Sequence, residues 1–295
     1  MTRQIRIVDV FTEKPLAGNQ LAVVLDGRGL ETEVMQRVAR EMNFSETTFI
    51  FPPDDPAHAA RVRIFTPVIE MPFAGHPTIG TAWVLLSEGL VPQGTTEFTL
   101  EEGVGPVPVR VESTSNGLLR LWMTHPNLRF GETYDRALVA ATIGVSESEL
   151  VADAPTQVAS TGLPFLYVPL RDARAVDAAV SDHARLRALK DDPAFGVFLF
   201  ASAGENRLYS RMFSVDTPED PATGSASGPL GAVAVKYGLV RRAPEVSIVS
   251  EQGTKMGRQS FIHINLAYSD GGDIPTRIEV GGTVMPVLSG TLSDF

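Results

Sequence analysis

The chain has 295 residues, 43% of them hydrophobic, with 25 basic against 35 acidic residues and a net charge of −10. That length suits two domains of ordinary size, and the apolar fraction supplies proper cores without the character of a membrane protein. Cysteine is absent, which excludes disulfides, thiolate nucleophiles and Cys-ligated metals, while an acidic balance with no basic block speaks against nucleic acid and anionic membrane surfaces as partners.

In chain order, Ile5 to Phe11 has a strand pattern and Gln20 to Asp26 a second. The Pro- and Gly-punctuated turn EKPLAGN at 13–19 joins them, so the two are expected to pair. No signal-peptide anatomy precedes the first strand, and no apolar run reaches the roughly 18 residues of a spanning helix, so a cytoplasmic protein is expected. Val34, Met35, Val38 and Met42 recur on one side of a helix predicted over Glu31 to Asn43, which Asn43 can end. The β-prone run Phe44 to Phe51 carries a carboxylate, Glu46, near its start. After a loop at 52–60, Arg61 to Thr66 alternates as a half-exposed strand does. A helix is predicted from Pro77, which suits the first helical position, to about Ser87. Its sequence TIGTAWVLL is apolar nearly all round, the mark of a helix buried on every side. Strand patterns follow at Thr96 to Leu100, Pro106 to Glu112 and Gly117 to Met123. A curled sheet closed around the central helix satisfies both the excess of strands and the all-round burial.

Residues 124–129, THPNLR, form the expected link between an N-terminal half, 1–123, and a C-terminal half, 124–295, with room for the last strand to return to the first half. The second half reads as a helix over Tyr134 to Ile143, an acidic stretch at Ser146 to Leu150 and a strand at Leu166 to Leu170. An Ala-rich helical run, Arg171 to Leu189, has a break expected near Ser181. Strands at Phe195 to Ala201 and Arg207 to Ser214 lead to a second apolar helix, followed by strands at Val246 to Ser250, Ser260 to Leu266, Arg277 to Val280 and Val284 to Leu288.

The halves echo each other in sequence. RIFTPVIEMPFAGHPTIGTAWVLLSEGLV, starting at Arg63, is answered by RMFSVDTPEDPATGSASGPLGAVAVKYGLV, starting at Arg211. Glu70 matches Glu219, Pro72 matches Pro221, Gly75 matches Gly224 and Gly89 matches Gly238 in one register. We read this as an ancient duplication, each half carrying a strand, a loop and a buried helix.

The chemistry-bearing residues cluster on the duplicated element. At Gly75-His76-Pro77 and at Gly224-Ser225-Ala226 a Gly-containing loop enters a helix, whose first turn offers unpaired N–H groups and partial positive charge. Two such termini facing one cleft suit a small carboxylated molecule, although either alone is more readily an ordinary helix start. Glu46 lies near Phe44 and Phe49 in sequence, and aromatic surroundings raise a carboxyl pKa toward the range useful for proton transfer. From the residue alone, Glu46 reads as a solvent-facing side chain at a strand end. One comparison shifts that balance: its counterpart in the second half is Phe195, or Ala194 if the longer loop is allowed for, and neither is acidic. His76 is matched by Ser225 and Asp220 by Met71, so each also occurs once. Alone, His76 is as readily a helix-start residue bonding its own loop as a site residue, and Asp220 as readily an exposed turn acid. The five histidines, His58, His76, His125, His183 and His263, show no metal-ligand spacing. Neither a phosphate loop, a dinucleotide fingerprint nor a nucleophile elbow is present. Arg258 suits an anion or a structural salt bridge alike.

The motifs VDVFTEKPLAGNQLAVV (8–24), MNFSETTFIF (42–51), FTPVIEMPFAGHPTIGTA (65–82), EDPATGSASG (219–228) and EQGTKMGR (251–258) stand in an order that resembles the PhzF family of phenazine-biosynthesis-type isomerases. The resemblance covers nearly the whole chain. It implies an α+β, diaminopimelate epimerase-like fold: two pseudo-symmetric halves, each a curved, mostly antiparallel sheet around a central helix, with the site in the cleft between. It further implies acid–base catalysis without a cofactor, with the catalytic glutamate on Glu46, the histidine and aspartate on His76 and Asp220, and ligand contacts on Ser45, Gly75, Gly224 and Ser225. No metal is implied, and a homodimer is. Where epimerase relatives carry paired cysteines, this chain has Ala74 and Thr223, so two-thiol racemisation is not available to it. The expectation is therefore an isomerase moving a proton on a small carboxylated metabolite; the alternative is a metabolite-binding or regulatory protein on the same scaffold.

Overall fold

The computed structural model describes residues 2–180, 182–192, 195–215 and 219–293. The chain divides into two units: Met1–Thr124 with Gly281–Phe295, and His125–Val280.

The first unit starts with β1 (Arg3–Val10) and β2 (Asn19–Val24), then α1 (Thr32–Met42), β3 (Glu46–Phe51), β4 (Ala60–Phe65), the short β5 (Glu70–Met71), α2 (Gly75–Ser87), β6 (Glu97–Glu102), β7 (Gly105–Ser113) and β8 (Leu119–Thr124). In the second unit come β9 (Arg129–Tyr134), α3 (Arg136–Ile143), β10 (Thr156–Ser160), β11 (Pro164–Pro169), α4 (Ala173–Ala178), α5 (His183–Leu189), β12 (Gly196–Ser202), β13 (Arg207–Ser214), α6 (Gly224–Lys236), β14 (Glu245–Gln252), β15 (Ser260–Ala267) and the start of β16 (Arg277–Leu292). The C-terminal part of β16 belongs to the first unit.

Within the first unit the sheet runs β1-β2-β3-β4-β6-β7-β8-β16, and β16 pairs with β1, so the strands close on themselves. Inside lies α2, packed on β1, β2, β3 and β8. Its core stretch Ile79–Ala82, with Val84 and Leu85, is buried, as a helix without a polar face requires. Amphipathic α1 covers the outside of β3 and β4 with Met35, Val38 and Ala39. The second unit runs β16-β15-β14-β13-β12-β11-β10-β9 around α6, which packs on β10, β11 and β15.

Pairing repeats along with sequence. In the first unit β2–β3 and β4–β6 pair in parallel, and β11–β12 and β13–β14 do so in the second. Both central helices end at a glycine in the left-handed region, Gly89 at φ 70° and Gly238 at φ 74°. In both, two following N–H groups then return to one carbonyl, Leu90 and Val91 to Leu85, Leu239 and Val240 to Ala234. Arg63 grips Glu70 in a bidentate pair at 2.7 and 2.7 Å, and Arg211 grips Glu219 at 2.8 and 2.7 Å. The one-residue offset expected at the start of the repeat is absorbed in the loop between the partners.

Several elements differ from the sequence reading. Strands β9 and β10 were not expected; RFGETY and TQVAS carry too few apolar residues to show a strand period. The strands predicted at Arg277 to Val280 and Val284 to Leu288 are one strand, β16. Gly281 and Gly282 do not punctuate it. A Cβ on Gly281 would lie 2.5 Å from the Trp122 ring and one on Gly282 2.3 Å from Phe11, so these glycines mark close approach of a neighbouring strand. The Arg171 to Leu189 run is two short helices; Ser181, where the break was placed, lies outside the described residues, as does Ala194. Helix α2 begins at Gly75, which makes Pro77 its third residue, still within the first turn where no intrahelical N–H bond is lost.

Candidate active site

Glu46 opens β3 opposite Leu21 of the parallel strand β2. Side chains alternate along a strand. Accordingly Thr48 reaches α2, its hydroxyl 2.8 Å from that of Thr81, while Phe49 points the other way into the cluster under α1. The aromatic surroundings expected for Glu46 are therefore not there. Phe49 stacks edge-on with Phe65, and Phe44 packs against the same cluster. The neighbour Glu46 does have is His76, whose Nε2 lies 3.4 Å from Glu46 Oε2.

His76 is the second residue of α2 and only 4% exposed. Burial pushes its imidazole down to about 3, against a small opposing contribution from the Gln20 backbone. It is thus neutral at physiological pH, and its approach to Glu46 is not an ion pair. Asn19 Nδ2 lies 3.3 Å from His76 Nδ1. An amide nitrogen donates, so Nδ1 accepts and the ring proton sits on Nε2, the nitrogen nearer Glu46, although the two make no hydrogen bond in this geometry. His76 does not bond its own loop.

Asn19 was missed at the sequence level, where it read as part of a turn. It begins β2 and is buried at 1% exposure. The loop before it is tied down by Asp9, whose Oδ2 accepts the Leu16 N–H at 2.6 Å. Gly18 is fixed at φ +70°, where an added Cβ would sit 2.3 Å from the Val10 carbonyl oxygen. Its pairing with a histidine 57 positions away is a tertiary fact with no local signal.

Gly75 opens α2 after Ala74, and Gly224 opens α6 after Thr223; neither helix has a side-chain cap. The first-turn N–H groups of both helices are the kind that receive a carboxylate. Ser45 directly precedes β3.

In the second unit Asp220 is 7% exposed, so it is not an exposed turn acid. Its N–H bonds the Met212 carbonyl at 3.1 Å. Its Oδ2 accepts the Thr223 hydroxyl at 2.7 Å, and Gln252 Nε2 donates to its carbonyl at 2.8 Å. Gln252 Oε1 accepts the Thr223 N–H at 3.1 Å, so one buried amide links Asp220 to the start of α6. The structure thus brings Glu46, His76 and Gly75 together in the first unit, and Asp220, Gly224 and Ser225 in the second. Phe195, matched to Glu46 by the duplication, lies in the apolar core. Among the described residues no cluster of three His, Asp or Glu side chains could hold a metal ion, and no helix is long and apolar enough to cross a membrane.

Comparison with known proteins adds a second line. A family model described as "Phenazine biosynthesis-like protein" matches residues 8–290. The trans-2,3-dihydro-3-hydroxyanthranilate isomerase of Pseudomonas aeruginosa is 37% identical over 279 residues, 94% of each chain. An uncharacterized isomerase of Mesorhizobium japonicum is 36% identical over 317 residues, 99% of each. Among solved structures, a PhzF-family phenazine biosynthesis protein of Bacillus anthracis matches with a TM-score of 0.88 at 26% identity, covering 100% of both chains. A hydroxyproline epimerase from Agrobacterium vitis matches at a TM-score of 0.68 and 13% identity over 99% of this chain and 92% of that one, a likeness of fold. The expected α+β, epimerase-like fold is the fold found.

Proposed function

This chain belongs to the PhzC-PhzF family of phenazine biosynthesis-like proteins, an isomerase among isomerases, and from that membership we propose that it moves a proton on a small carboxylated metabolite by general acid–base catalysis, without a cofactor. The observation that carries this reading is the closeness of Glu46 and His76, a carboxyl group 3.4 Å from the Nε2 of a neutral, buried imidazole. A carboxylate so placed is a base held in one orientation, and a positioned base contributes about 10²- to 10⁴-fold in rate.

In this reading Glu46 takes a proton from an activated C–H. The bonding pair passes into the adjacent unsaturated system, and the proton returns at another carbon of the same molecule. His76 donates its one N–H, on Nε2 beside Glu46, to the substrate. Asp220 holds the substrate's hydroxyl or amine. Ser45 and the first-turn N–H groups at Gly75, Gly224 and Ser225 bind its carboxylate. The protein works as a cytoplasmic homodimer. The P. aeruginosa relative is named for trans-2,3-dihydro-3-hydroxyanthranilate, and that compound is the first probe.

The test is incubation of protein and probe in D2O, with deuterium in recovered ligand read by mass spectrometry. The proposal expects catalytic wash-in of solvent deuterium at carbon, reduced in D220N through weaker binding. A melting-temperature shift with no wash-in, for this probe and for a panel of small unsaturated carboxylates, is the result of a binding protein and overturns the reading.

A further inference from the structure

Glu102 ends β6 and is 7% exposed, with a buried carboxyl and no part in the reaction above. Its Oε1 lies 2.6 Å from the Thr78 hydroxyl, and its Oε2 makes no hydrogen bond. The same Thr78 hydroxyl lies 2.8 Å from the Ala74 carbonyl oxygen. A hydroxyl has one hydrogen and a carbonyl cannot donate, so both contacts are hydrogen bonds at once only when the Glu102 carboxyl brings a hydrogen of its own.

The duplication places a neutral donor at the same strand position. On α6, Ser227 stands where Thr78 stands on α2, and its hydroxyl bonds the Thr223 carbonyl at the same 2.8 Å. The strand after each central helix ends in a matching tripeptide, Glu101-Glu102-Gly103 and Glu251-Gln252-Gly253. Where the first unit has Glu102, the second has Gln252, whose neutral amide also reaches the start of its helix, donating at 3.0 Å to Oγ1 of Thr223, the counterpart of Ala74 rather than of Thr78. A neutral carboxylic acid is the shape and hydrogen-bonding equivalent of that amide, whereas a carboxylate can only accept.

We infer that Glu102 is a positioning residue: as a neutral acid it donates to Thr78 and fixes the turn from Ala74 to Thr78, on which Gly75 and His76 are carried. The inference rests on the proposed role of His76. The charged groups around Glu102 leave it uncompensated. On its own strand Glu101 is taken by His58 and by the Asp54 and Asp55 N–H groups. On β4, Arg63 is locked to Glu70 of β5, and Arg61 lies over Phe51 and beside Asp54. On α2 the one titratable group is the neutral His76, and β7 carries no charge before Arg110. Burial accordingly raises the Glu102 carboxyl to about 8, with the Thr78 contact opposing. Above that pH the donor is lost and a buried charge takes its place.

Wild type, E102Q and E102A are compared from about pH 6 to about pH 10 by two readouts. One is deuterium wash-in on trans-2,3-dihydro-3-hydroxyanthranilate. The other needs no substrate: the Cε1–H resonance of His76, assigned by its loss in H76N. In wild type the wash-in falls about tenfold per pH unit beyond the ionisation, and the His76 resonance moves over the same range. In E102Q both stay level, because an amide donates to Thr78 at every pH; E102A is impaired throughout. The same alkaline limb and the same His76 movement in E102Q overturn the inference. Should no variant show wash-in, the reaction fails while the His76 resonance still decides Glu102: movement in wild type alone supports it, and identical behaviour rejects it. Should E102A not fold, the comparison with E102Q decides.

Discussion

Replacing Arg211 with methionine puts the duplicated ion pair to a quantitative test. Arg211 donates to both oxygens of Glu219 at 2.8 and 2.7 Å, and its Nη1 also bonds the carbonyls of Val176 at 3.1 Å and Ala179 at 2.8 Å. The side chains of the pair are 7% and 15% exposed. Methionine keeps an unbranched stem but removes the guanidinium over Phe213 and strands the Glu219 carboxylate and the Ala179 carbonyl, while the Val176 carbonyl keeps the Ala179 N–H at 3.3 Å. Breaking such a pair from one side costs about 3–5 kcal/mol. The twin pair, Arg63 and Glu70, has the same bidentate geometry at 2.7 Å but is 23% and 38% exposed. Solvent screens it, and R63M is expected to cost about 0–1 kcal/mol. Urea unfolding of the two variants reads this as a gap of about thirtyfold or more in equilibrium constant. R211M/E219Q should recover part of the loss by removing the stranded charge. Equal losses for R63M and R211M, or no recovery in the double variant, would show that burial does not set the worth of these pairs.

Three further outcomes follow from the geometry. Asn19→Ala removes the donor that fixes the His76 tautomer; wash-in should fall about 10- to 100-fold, the range typical of groups that orient a functional histidine, with the urea midpoint changed much less than the rate. Gly253 sits at φ +75°, with an added Cβ 2.4 Å from the Arg258 oxygen and 2.5 Å from that of Pro221, next to Asp220. Gly253→Ala should cost about 1–2 kcal/mol for the left-handed backbone and about 1–3 kcal/mol for the clash, measured by urea unfolding. Glu102, raised to about 8 in the folded chain and ordinary in the unfolded one, makes folding take up a proton between those values. Its contribution to stability is full at low pH, drains away between about pH 4 and pH 8 at up to about 1.4 kcal/mol per pH unit, and is flat above. The difference between wild type and E102Q in thermal unfolding isolates that slope.

Much of this architecture was legible in the chain because the duplicated stretch carries its own contacts. Arg63 with Glu70 and Arg211 with Glu219 are near in sequence, and a helix apolar on every side leaves few ways to be buried. Asn43, read as a helix end, does adopt the left-handed conformation at φ 53°. What escaped lies in long-range pairing. Asn19 reads as turn punctuation until β1 and β2 bring it beside His76. Glu102 reads as a solvated residue in a Glu-Glu-Gly turn; the echo with Glu251-Gln252-Gly253 was the signal that could have singled it out. Phe49 misled because nearness in sequence ignores the alternation of a strand, which turns it away from Glu46. Strands β9 and β10 are specified by their neighbours in the sheet more than by their own composition.

The central claim, that Glu46 is the group that carries the proton, is tested most directly by Glu46→Gln, which keeps shape and hydrogen-bonding reach and removes the base. With trans-2,3-dihydro-3-hydroxyanthranilate in D2O, the account predicts that the variant still binds the probe, seen as a retained melting shift, while deuterium wash-in drops about 10²- to 10⁴-fold. Wash-in at the wild-type rate in that variant would contradict it.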